Sequence, residues 1–216
     1  PFLFLMTSLR IKVCGMTDVD NLLDVLDLGV EAIGVISCPS SPRNVKVDRV
    51  RTLLDAAQSA APHAERHWVV RDVPVSTLDA ALASGLNCTH VQLHGPYWEE
   101  AAQTVTGHQR HAVQVHPVDS PHCPPLLPGC QRLLLDTPSP AGGGTGEAFD
   151  WTLFQDWTAP SVEVVLAGGL TPDHARDGLS SLPSWIGWLD LNSGVESRPG
   201  IKDPHKVRAF IDSLSS

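Results

Sequence analysis

The sequence has few basic residues. It contains 15 Lys and Arg residues against 24 Asp and Glu residues, which gives a formal net charge of −9. No basic cluster is present, so the sequence argues against nucleic acid and against an anionic membrane surface as partners. A small anionic substrate stays compatible with this charge, because a binding site can be locally positive in an acidic protein.

Long apolar runs are also missing. No run reaches the roughly 20 residues that a membrane-spanning helix needs, so we expect no membrane partner. The apolar start at residues 1–6 is too short as well, and it lacks the cationic leader and the small-residue cleavage site of a secretory signal. We therefore expect residues 1–10 to be an N-terminal extension that leads into the first strand.

Cysteine and lysine are scarce. The five cysteines are odd in number and lie mostly in apolar runs, which does not suit a disulfide framework. A reducing compartment fits this pattern best, so we expect a cytoplasmic protein. Of the few lysines, only Lys12 falls on a predicted strand, which makes an enzyme that forms a Schiff base with its substrate a weak alternative.

Potential metal ligands occur in pairs and not in complete sets. His90 and His94 flank Gln92, and His122-Cys123 lies near Cys130. Two-ligand fragments are common in a chain with 10 histidines, and they do not supply the ligand set of a metal site. We expect no metal and no other cofactor.

Eight short apolar runs recur along the chain. Their starts lie about 20 to 35 residues apart, which is the size of one strand followed by one helix. Helix signals lie between them: Thr17 and Asp20 form a pair like a capping box, and Asp203-Pro204 puts a cap residue before a first-turn proline. The runs are 11–13, 32–36, 68–70, 90–93, 112–115, 133–135, 162–166 and 188–191.

Eight such units predict an α/β fold, a single-domain (β/α)8 TIM barrel over residues 11–216. The alternative is an open doubly wound sheet, which rarely has eight evenly spaced units. Proline removes a hydrogen-bond donor and clashes inside a helix, so we expect the fifth helix to be shortened or irregular. Five prolines fall where that helix is expected: Pro117, Pro121, Pro124, Pro125 and Pro128.

The run 133–135 ends in Asp136, and a glycine-rich segment follows at 142–146. A carboxylate at the end of a buried strand is costly unless it faces water, a partner or a ligand. Glycines let backbone N–H groups approach an anion closely. In a TIM barrel the chemistry lies at the carboxyl ends of the strands. The stretch is therefore either half of an active site or an aspartate that closes a turn beside a surface loop.

Six segments occur in a fixed order at strand ends. They are Lys12-Val-Cys-Gly-Met-Thr17, Ser41-Pro-Arg43, Val91-Gln-Leu-His-Gly95, Leu134-Leu-Asp136 with Gly143-Gly-Thr-Gly146, Leu166-Ala-Gly-Gly-Leu-Thr-Pro172 and Asn192-Ser-Gly-Val-Glu196. In this order and spacing the chain resembles phosphoribosylanthranilate isomerase, from about Ile11 to Leu214. Each segment alone is weakly specific, and the ordered set carries the resemblance.

The resemblance implies an Amadori rearrangement in tryptophan biosynthesis. N-(5-phosphoribosyl)anthranilate becomes 1-(2-carboxyphenylamino)-1-deoxyribulose 5-phosphate. An acid must protonate the furanose ring oxygen, and a base must then remove the C2′ proton. By this resemblance Asp136 is the general acid and Cys14 is the general base. Without the resemblance, Asp136 can also cap a turn, and Cys14 can be a buried structural cysteine.

The resemblance also indicates binding residues. Arg43 corresponds to the ligand of the anthranilate carboxylate, which a guanidinium can bind with two hydrogen bonds; the alternative is a solvated surface arginine. His94 either shapes the pocket or fills it, and Asp190 points inward to bond the ribose hydroxyls or to order the barrel mouth. We expect the phosphate where strands seven and eight end. The residues for it are Gly168, Gly169, Ser193 and Gly194, with Gly143 and Gly144 joining them or closing over the substrate.

Some positions depart from the family pattern. Ser37 and Cys38 stand where the family usually has aromatic residues, and Asn192 stands where it usually has serine. One alternative is the related Amadori isomerase of histidine biosynthesis, although no internal duplication is present here. Another is a catalytically silent barrel that binds a phosphorylated ligand. The sequence thus predicts a phosphorylated small-molecule substrate, and a chain that is a monomer or a homodimer.

Overall fold

Eight parallel strands form a closed barrel in chain order, and β1 pairs with both β2 and β8. The computed structural model describes residues 9–95, 98–118, 123–136, 157–158, 160–173 and 182–214. The strands are β1 Arg10–Val13, β2 Ala32–Ser37, β3 Glu65–Arg71, β4 His90–His94, β5 His111–Pro117, β6 Cys130–Asp136, β7 Glu163–Ala167 and β8 Ile186–Leu191. Each of the eight predicted runs is a strand, so the TIM barrel is confirmed and the open sheet is wrong.

Helices cover the outside of the barrel. They are α1 Val19–Leu26, α2 Val47–Ala60, α3 Val75–Ala83, α4 Trp98–Gly107 and α5 Pro204–Ser213. After β8 come a short 3-10 helix, Ser193–Val195, and an antiparallel pair, β9 Glu196–Arg198 and β10 Ile201–Lys202. None of the described helices is both long and apolar enough to cross a membrane. Their inward faces join the outer faces of the strands in one large apolar cluster, which accounts for the unbroken hydrophobic runs of the sequence.

The start of α1 differs from the prediction by one residue. Asp18 is the N-cap, and its carboxylate accepts a hydrogen bond from the Asn21 N–H at 3.0 Å. Thr17 instead donates from its hydroxyl to the carbonyl of Gly200 at 2.8 Å, which ties α1 to the β9–β10 turn. The cap of α5 is as predicted, because Asp203 accepts from the His205 N–H at 2.9 Å.

The connection between β5 and β6 contains no helix in the residues that are described there, 118 and 123–129. Gln114 holds this segment with both ends of its amide. Its nitrogen donates to the Pro125 carbonyl at 3.1 Å, and its oxygen accepts from the Leu127 N–H at 2.9 Å. The irregular fifth crossing predicted from the prolines is therefore seen in this part.

The barrel interior is layered. Its middle is an apolar cluster of Ala32, Val113, Val115, Leu134, Val165, Ala167 and Trp188. At the amino ends of the strands lies a polar layer of Glu65, His67, His90, Arg132 and Glu163. Side chains alternate along a strand between the interior and the helices, so Cys14 and Asp136 reach the opposite, carboxyl end of the same interior.

Candidate active site

The carboxyl ends of the strands surround one cleft. Every predicted site residue among those described lies in it: Cys14, Arg43, His94, Asp136, Gly168, Gly169, Asp190, Ser193 and Gly194. The other described residues of its wall are Ile36, Cys38, Ser40, Ser41, Pro42, Val69, Arg71, Gln92, Leu134, Ala167, Leu170 and Asn192. Gly143 and Gly144 lie outside the described residues.

Cys14 follows β1 and is buried, with 4% of its surface exposed. Its sulfur packs against the backbone of Gly34 on β2, where an added Cβ would lie 2.7 Å from Sγ. Burial raises the pKa of the Cys14 thiol, because the thiolate loses its hydration. The positive charges of Lys12 and Lys202 act in the opposite direction.

Lys12 lies below Cys14 on the same face of β1, fully inside the barrel. Its ammonium donates to Asp190 Oδ2 at 2.6 Å and to Gln92 Oε1 at 2.9 Å. Burial works against the charge of Lys12, but the Asp190 carboxylate outweighs it and raises the Lys12 pKa. Lys12 is therefore a fixed cation beneath the cleft.

The same contacts fix the protonation of His94. An ammonium only donates, so Gln92 must present its oxygen to Lys12 and its NH2 group to His94, 2.9 Å away at Nε2. His94 Nε2 is then an acceptor, and the proton of the neutral ring is on Nδ1. Burial lowers the pKa of His94 to about 4, and Lys12 and Arg71 add to this effect. His94 shapes the cleft as a neutral side chain.

Asp136 ends β6 and is partly exposed to the cleft. Its carbonyl accepts from the Val118 N–H at 2.9 Å, which fixes the end of the strand beside the end of β5. In the closed order of strands, β6 is three positions from β1. Asp136 and Cys14 therefore approach the cleft from well-separated parts of its rim.

Arg43 is held by two hydrogen bonds to one carboxylate, that of Glu196. Its Nε and Nη2 donate to Glu196 Oε1 and Oε2 at 2.8 and 2.6 Å. The hydrogen bonds to Glu196 raise the pKa of Arg43. Glu196 also accepts from Lys202 Nζ at 2.7 Å and from the Gly200 N–H at 3.0 Å. Burial alone would raise the pKa of Glu196, but Arg43 and Lys202 outweigh it and lower this pKa.

The loops that follow β7 and β8 pack against each other, and each contributes glycine to the cleft. Gly168 and Gly169 have φ values of +95° and +63°, a region that favours glycine. Gly194 packs so closely on the β7 loop that a Cβ there would lie 2.0 Å from the Leu170 carbonyl oxygen. These residues face the cleft with little side chain over their backbone.

The two departures near β2 have different positions. Ser37 points away from the cleft, where its hydroxyl accepts from Trp68 Nε1 at 3.0 Å and donates to the Val45 carbonyl at 3.0 Å. Cys38 lines the cleft and forms an apolar patch with Ile36, Val69 and Cys14. Only Cys38 therefore affects the packing of a bound ligand.

Sequence reasoning missed several residues that organise the site. The scarcity of lysine points to Lys12 only as a Schiff-base candidate. Lys12 is, however, two residues from Cys14 along a strand, which places both side chains on the same face. Glu196 is the last residue of the segment Asn192–Glu196, and its negative charge was the property that could have marked it as a partner of Arg43. Lys202 gave no signal. It lies on β10, so the expectation that only Lys12 falls on a strand is wrong.

A cluster of potential metal ligands lies near the amino ends of the strands. His90 and His94 lie at opposite ends of β4 and do not meet. Among the described residues, one group has three candidate ligands, Glu65, His67 and His90. Arg132 already binds Glu65 with two hydrogen bonds at 2.6 and 3.0 Å. The two imidazole rings are stacked within 4° of parallel, so their in-plane lone pairs do not converge on one ion. This geometry does not favour a metal, and the absence of one stays a prediction.

A closed eight-stranded parallel barrel with a polar cleft at the carboxyl ends of its strands is the architecture of a TIM-barrel enzyme. The profile of the N-(5′phosphoribosyl)anthranilate (PRA) isomerase family matches residues 11–213. The chain belongs to this family, so its reaction is the isomerisation of N-(5′-phosphoribosyl)anthranilate in tryptophan biosynthesis.

Relatives and solved structures agree with this assignment. The N-(5′-phosphoribosyl)anthranilate isomerase of a Synechococcus species is 36% identical over 96% of this chain and 97% of its own. The crystal structure of phosphoribosyl anthranilate isomerase from Thermus thermophilus has a TM-score of 0.81 and 30% identity, covering 96% of this chain and 98% of its own. A phosphoribosyl anthranilate isomerase in complex with reduced 1-(o-carboxyphenylamino)-1-deoxyribulose 5-phosphate shares the fold, with a TM-score of 0.74 and 23% identity, over 96% of this chain and 98% of its own.

Proposed function

We propose that Asp136 is the general acid and Cys14 the general base of this isomerase. The observation that carries the proposal is that β6 and β1 bring a carboxyl and a thiol to separate parts of one cleft. A substrate laid across the cleft meets one group at its ring oxygen and the other at C2′. Acid and base thereby act on different atoms without competing for one position.

In the proposed sequence, Asp136 donates a proton to the furanose oxygen. The C1′–O bond breaks, and the nitrogen lone pair forms the iminium. The Cys14 thiolate then takes the C2′ proton. The C–H electron pair forms the C1′=C2′ bond, the iminium electrons return to nitrogen, and the enolamine tautomerises to the ketone.

We infer the orientation of the substrate from the two ends of the cleft. Arg43 uses Nε and one hydrogen of Nη2 to bind Glu196, so the hydrogens of Nη1 and the second hydrogen of Nη2 are left to receive the anthranilate carboxylate. The apolar patch of Ile36, Cys38 and Val69 lies beside it and suits the aromatic ring. The phosphate then belongs at the loops after β7 and β8, where exposed backbone amides bind it without lysine.

The experiment for the acid and base pairs two variants with a binding measurement. Asp136→Asn and Cys14→Ala are each expected to lower kcat by about 10² to 10⁴, because single acid–base groups contribute in this range. Turnover is followed by the change in anthranilate fluorescence. Binding of the reduced product analogue should change little in both variants. Full turnover by either variant rejects the role of that residue.

The cellular setting and the assembly are further parts of the proposal. All five cysteines are free thiols in the structure, which suits a reducing cytoplasm. A monomer or a homodimer remains our proposal for the oligomeric state, and light scattering during gel filtration measures it directly. Residues 1–8, within the proposed N-terminal extension, lie outside the described residues.

A further inference from the structure

Lys12 is a buried cation that the acid–base scheme does not use. We propose that Lys12, held in place by Asp190 and Gln92, is a positioning residue whose positive charge stabilises the Cys14 thiolate. This inference rests on the proposed role of Cys14 as the base. It assigns no proton transfer to Lys12, which stays an ammonium throughout the reaction.

The geometry holds Lys12 in place by two hydrogen bonds and leaves its third N–H group outside them. An ammonium has three hydrogens, and two of them point to Asp190 Oδ2 at 2.6 Å and Gln92 Oε1 at 2.9 Å. Lys12 and Cys14 are two residues apart on β1 and therefore lie on the same inner face. Both side chains are buried in the barrel interior, so little solvent screens the ammonium charge from the sulfur.

The need for such a charge follows from the burial of Cys14. Only the thiolate can accept the C2′ proton, and an apolar surrounding disfavours it. Sγ rests on the backbone of Gly34, and Ile36, Cys38 and Val69 complete the apolar side of its surroundings. Burial accordingly raises the thiol pKa, and Lys12 is the largest influence that lowers it.

Asp190 makes the arrangement specific. Its carboxylate pairs with Lys12 in the register of β1 and β8, and so it fixes the position of the ammonium. The same negative charge opposes the thiolate directly. Lys202 and Arg43 are further cations that act on Cys14. Both are committed to Glu196, Lys202 at 2.7 Å and Arg43 at 2.8 and 2.6 Å. Lys12 and Asp190 should therefore affect the thiolate with opposite signs, which a purely structural ion pair would not do.

The test measures the thiolate itself. Alkylation of Cys14 by iodoacetamide is followed against pH, and mass spectrometry locates the adduct, with Cys14→Ser as the blank. In Lys12→Met the midpoint is expected to rise by about 1 to 3 pH units, because a nearby opposite charge shifts a pKa by this amount. In Asp190→Asn the midpoint should fall. Lys12→Arg keeps the charge and should recover part of the wild-type midpoint.

Loss of fold is controlled by a double variant. Lys12→Met with Asp190→Asn leaves no unpaired buried charge, and its alkylation midpoint should still lie above that of Asp190→Asn alone. The acid limb of the kcat/KM profile should move with the alkylation midpoint in Lys12→Arg. The inference is overturned if Lys12→Met has the wild-type midpoint and the double variant has the midpoint of Asp190→Asn. An active Cys14→Ala enzyme instead overturns the role of Cys14 as the base, and the alkylation measurement is independent of that result.

Discussion

Arg43 and Glu196 lie 153 residues apart in the chain and form a two-bonded ion pair at the rim of the cleft. Their oxygen–nitrogen distances are 2.8 and 2.6 Å, and both side chains are almost completely buried. Fixing a guanidinium in this way sets the direction of its remaining N–H groups before a ligand arrives. If Arg43 binds the anthranilate carboxylate as we propose, Glu196 contributes to substrate recognition by positioning Arg43.

The first prediction concerns this pair. Glu196→Gln keeps the size of the side chain but removes its charge, so Arg43 should be held less firmly. A charge-assisted hydrogen bond contributes about 1.5 to 3 kcal/mol, so KM should rise by roughly tenfold or more. Steady-state kinetics should show a smaller effect on kcat. Glu99→Gln, at an exposed position of α4, serves as the control. A change in kcat alone would contradict the positioning role.

The second prediction concerns the two anionic ends of the substrate. Arg43→Ala should weaken binding of the reduced product analogue but not binding of inorganic phosphate. Ser193→Asp places a negative charge in the proposed phosphate region and should weaken both ligands. Isothermal titration calorimetry with each ligand measures the two affinities, and Ser197→Asp, at an exposed position of β9, is the matched control. Loss of phosphate binding in Arg43→Ala would reverse the orientation of the substrate in the cleft.

The third prediction concerns pH and stability. Burial lowers the pKa of His90 and of His94 to about 4, below the ordinary value of 6.5. Between these values the unfolded chain binds protons that the folded chain does not. Stability should therefore fall as the pH drops from 6.5 toward 4, by at most about 1.4 kcal/mol per pH unit for each group. Urea unfolding at several pH values measures this slope.

A variant isolates one histidine from the others. His90→Gln should reduce the slope of stability against pH, while Gln103→Asn, at an exposed position of α4 and without a titratable group, should leave it unchanged. Below about pH 4.5 a second effect sets in, in the same direction. Hydrogen bonds from His67 and Arg132 outweigh burial and hold the pKa of Glu65 well below its usual range. An equal slope in both variants would mean that His90 does not titrate differently in the folded chain.

The fourth prediction concerns metal. Exhaustive dialysis against a chelator should leave activity unchanged, because Glu65, the carboxylate of the three-ligand group, is already bound by Arg132. Elemental analysis before and after dialysis accompanies the assay. A stoichiometric metal whose removal abolishes activity, and whose return restores it, would contradict the acid–base scheme.

The strands were predictable because buried parallel strands need unbroken apolar runs, and the chain has eight of them. The positions at strand ends followed from the fold, which is why Cys14, Asp136 and Asp190 were found. The N-cap of α1 was misplaced by one residue, because the Thr17 hydroxyl is used by Gly200, far away in sequence. Both Asp and Thr are common N-caps, and the spacing of Thr17 and Asp20, which resembles a capping box, favoured Thr17.

The contacts between polar side chains inside the barrel could not be predicted from the sequence. Whether Lys12 meets Asp190 depends on the register between the first and the last strand, which only the closed barrel fixes. Trp188 illustrates the same point, because its ring contacts both Arg10 and Arg132, with guanidinium carbons 4.2 and 4.6 Å from the ring centroid. The residues around Trp188 in the sequence give no hint of two cations beside it.

Gly34 leaves room for the Cys14 sulfur inside the barrel, and a glycine at this strand position lowers the stability of the fold. A glycine inside a strand costs about 0.5 to 1 kcal/mol relative to alanine. A methyl group at position 34 would lie 2.7 Å from Sγ of Cys14 and would push the sulfur aside. Alanine at this position should therefore slow the enzyme and destabilise the fold. In a Cys14→Ala background the destabilisation should be smaller but not absent, because the Cα and Cβ of residue 14 would still lie 3.3 Å from the added methyl group. The difference in unfolding free energy between the two backgrounds would measure how much of the space beside Gly34 the sulfur requires.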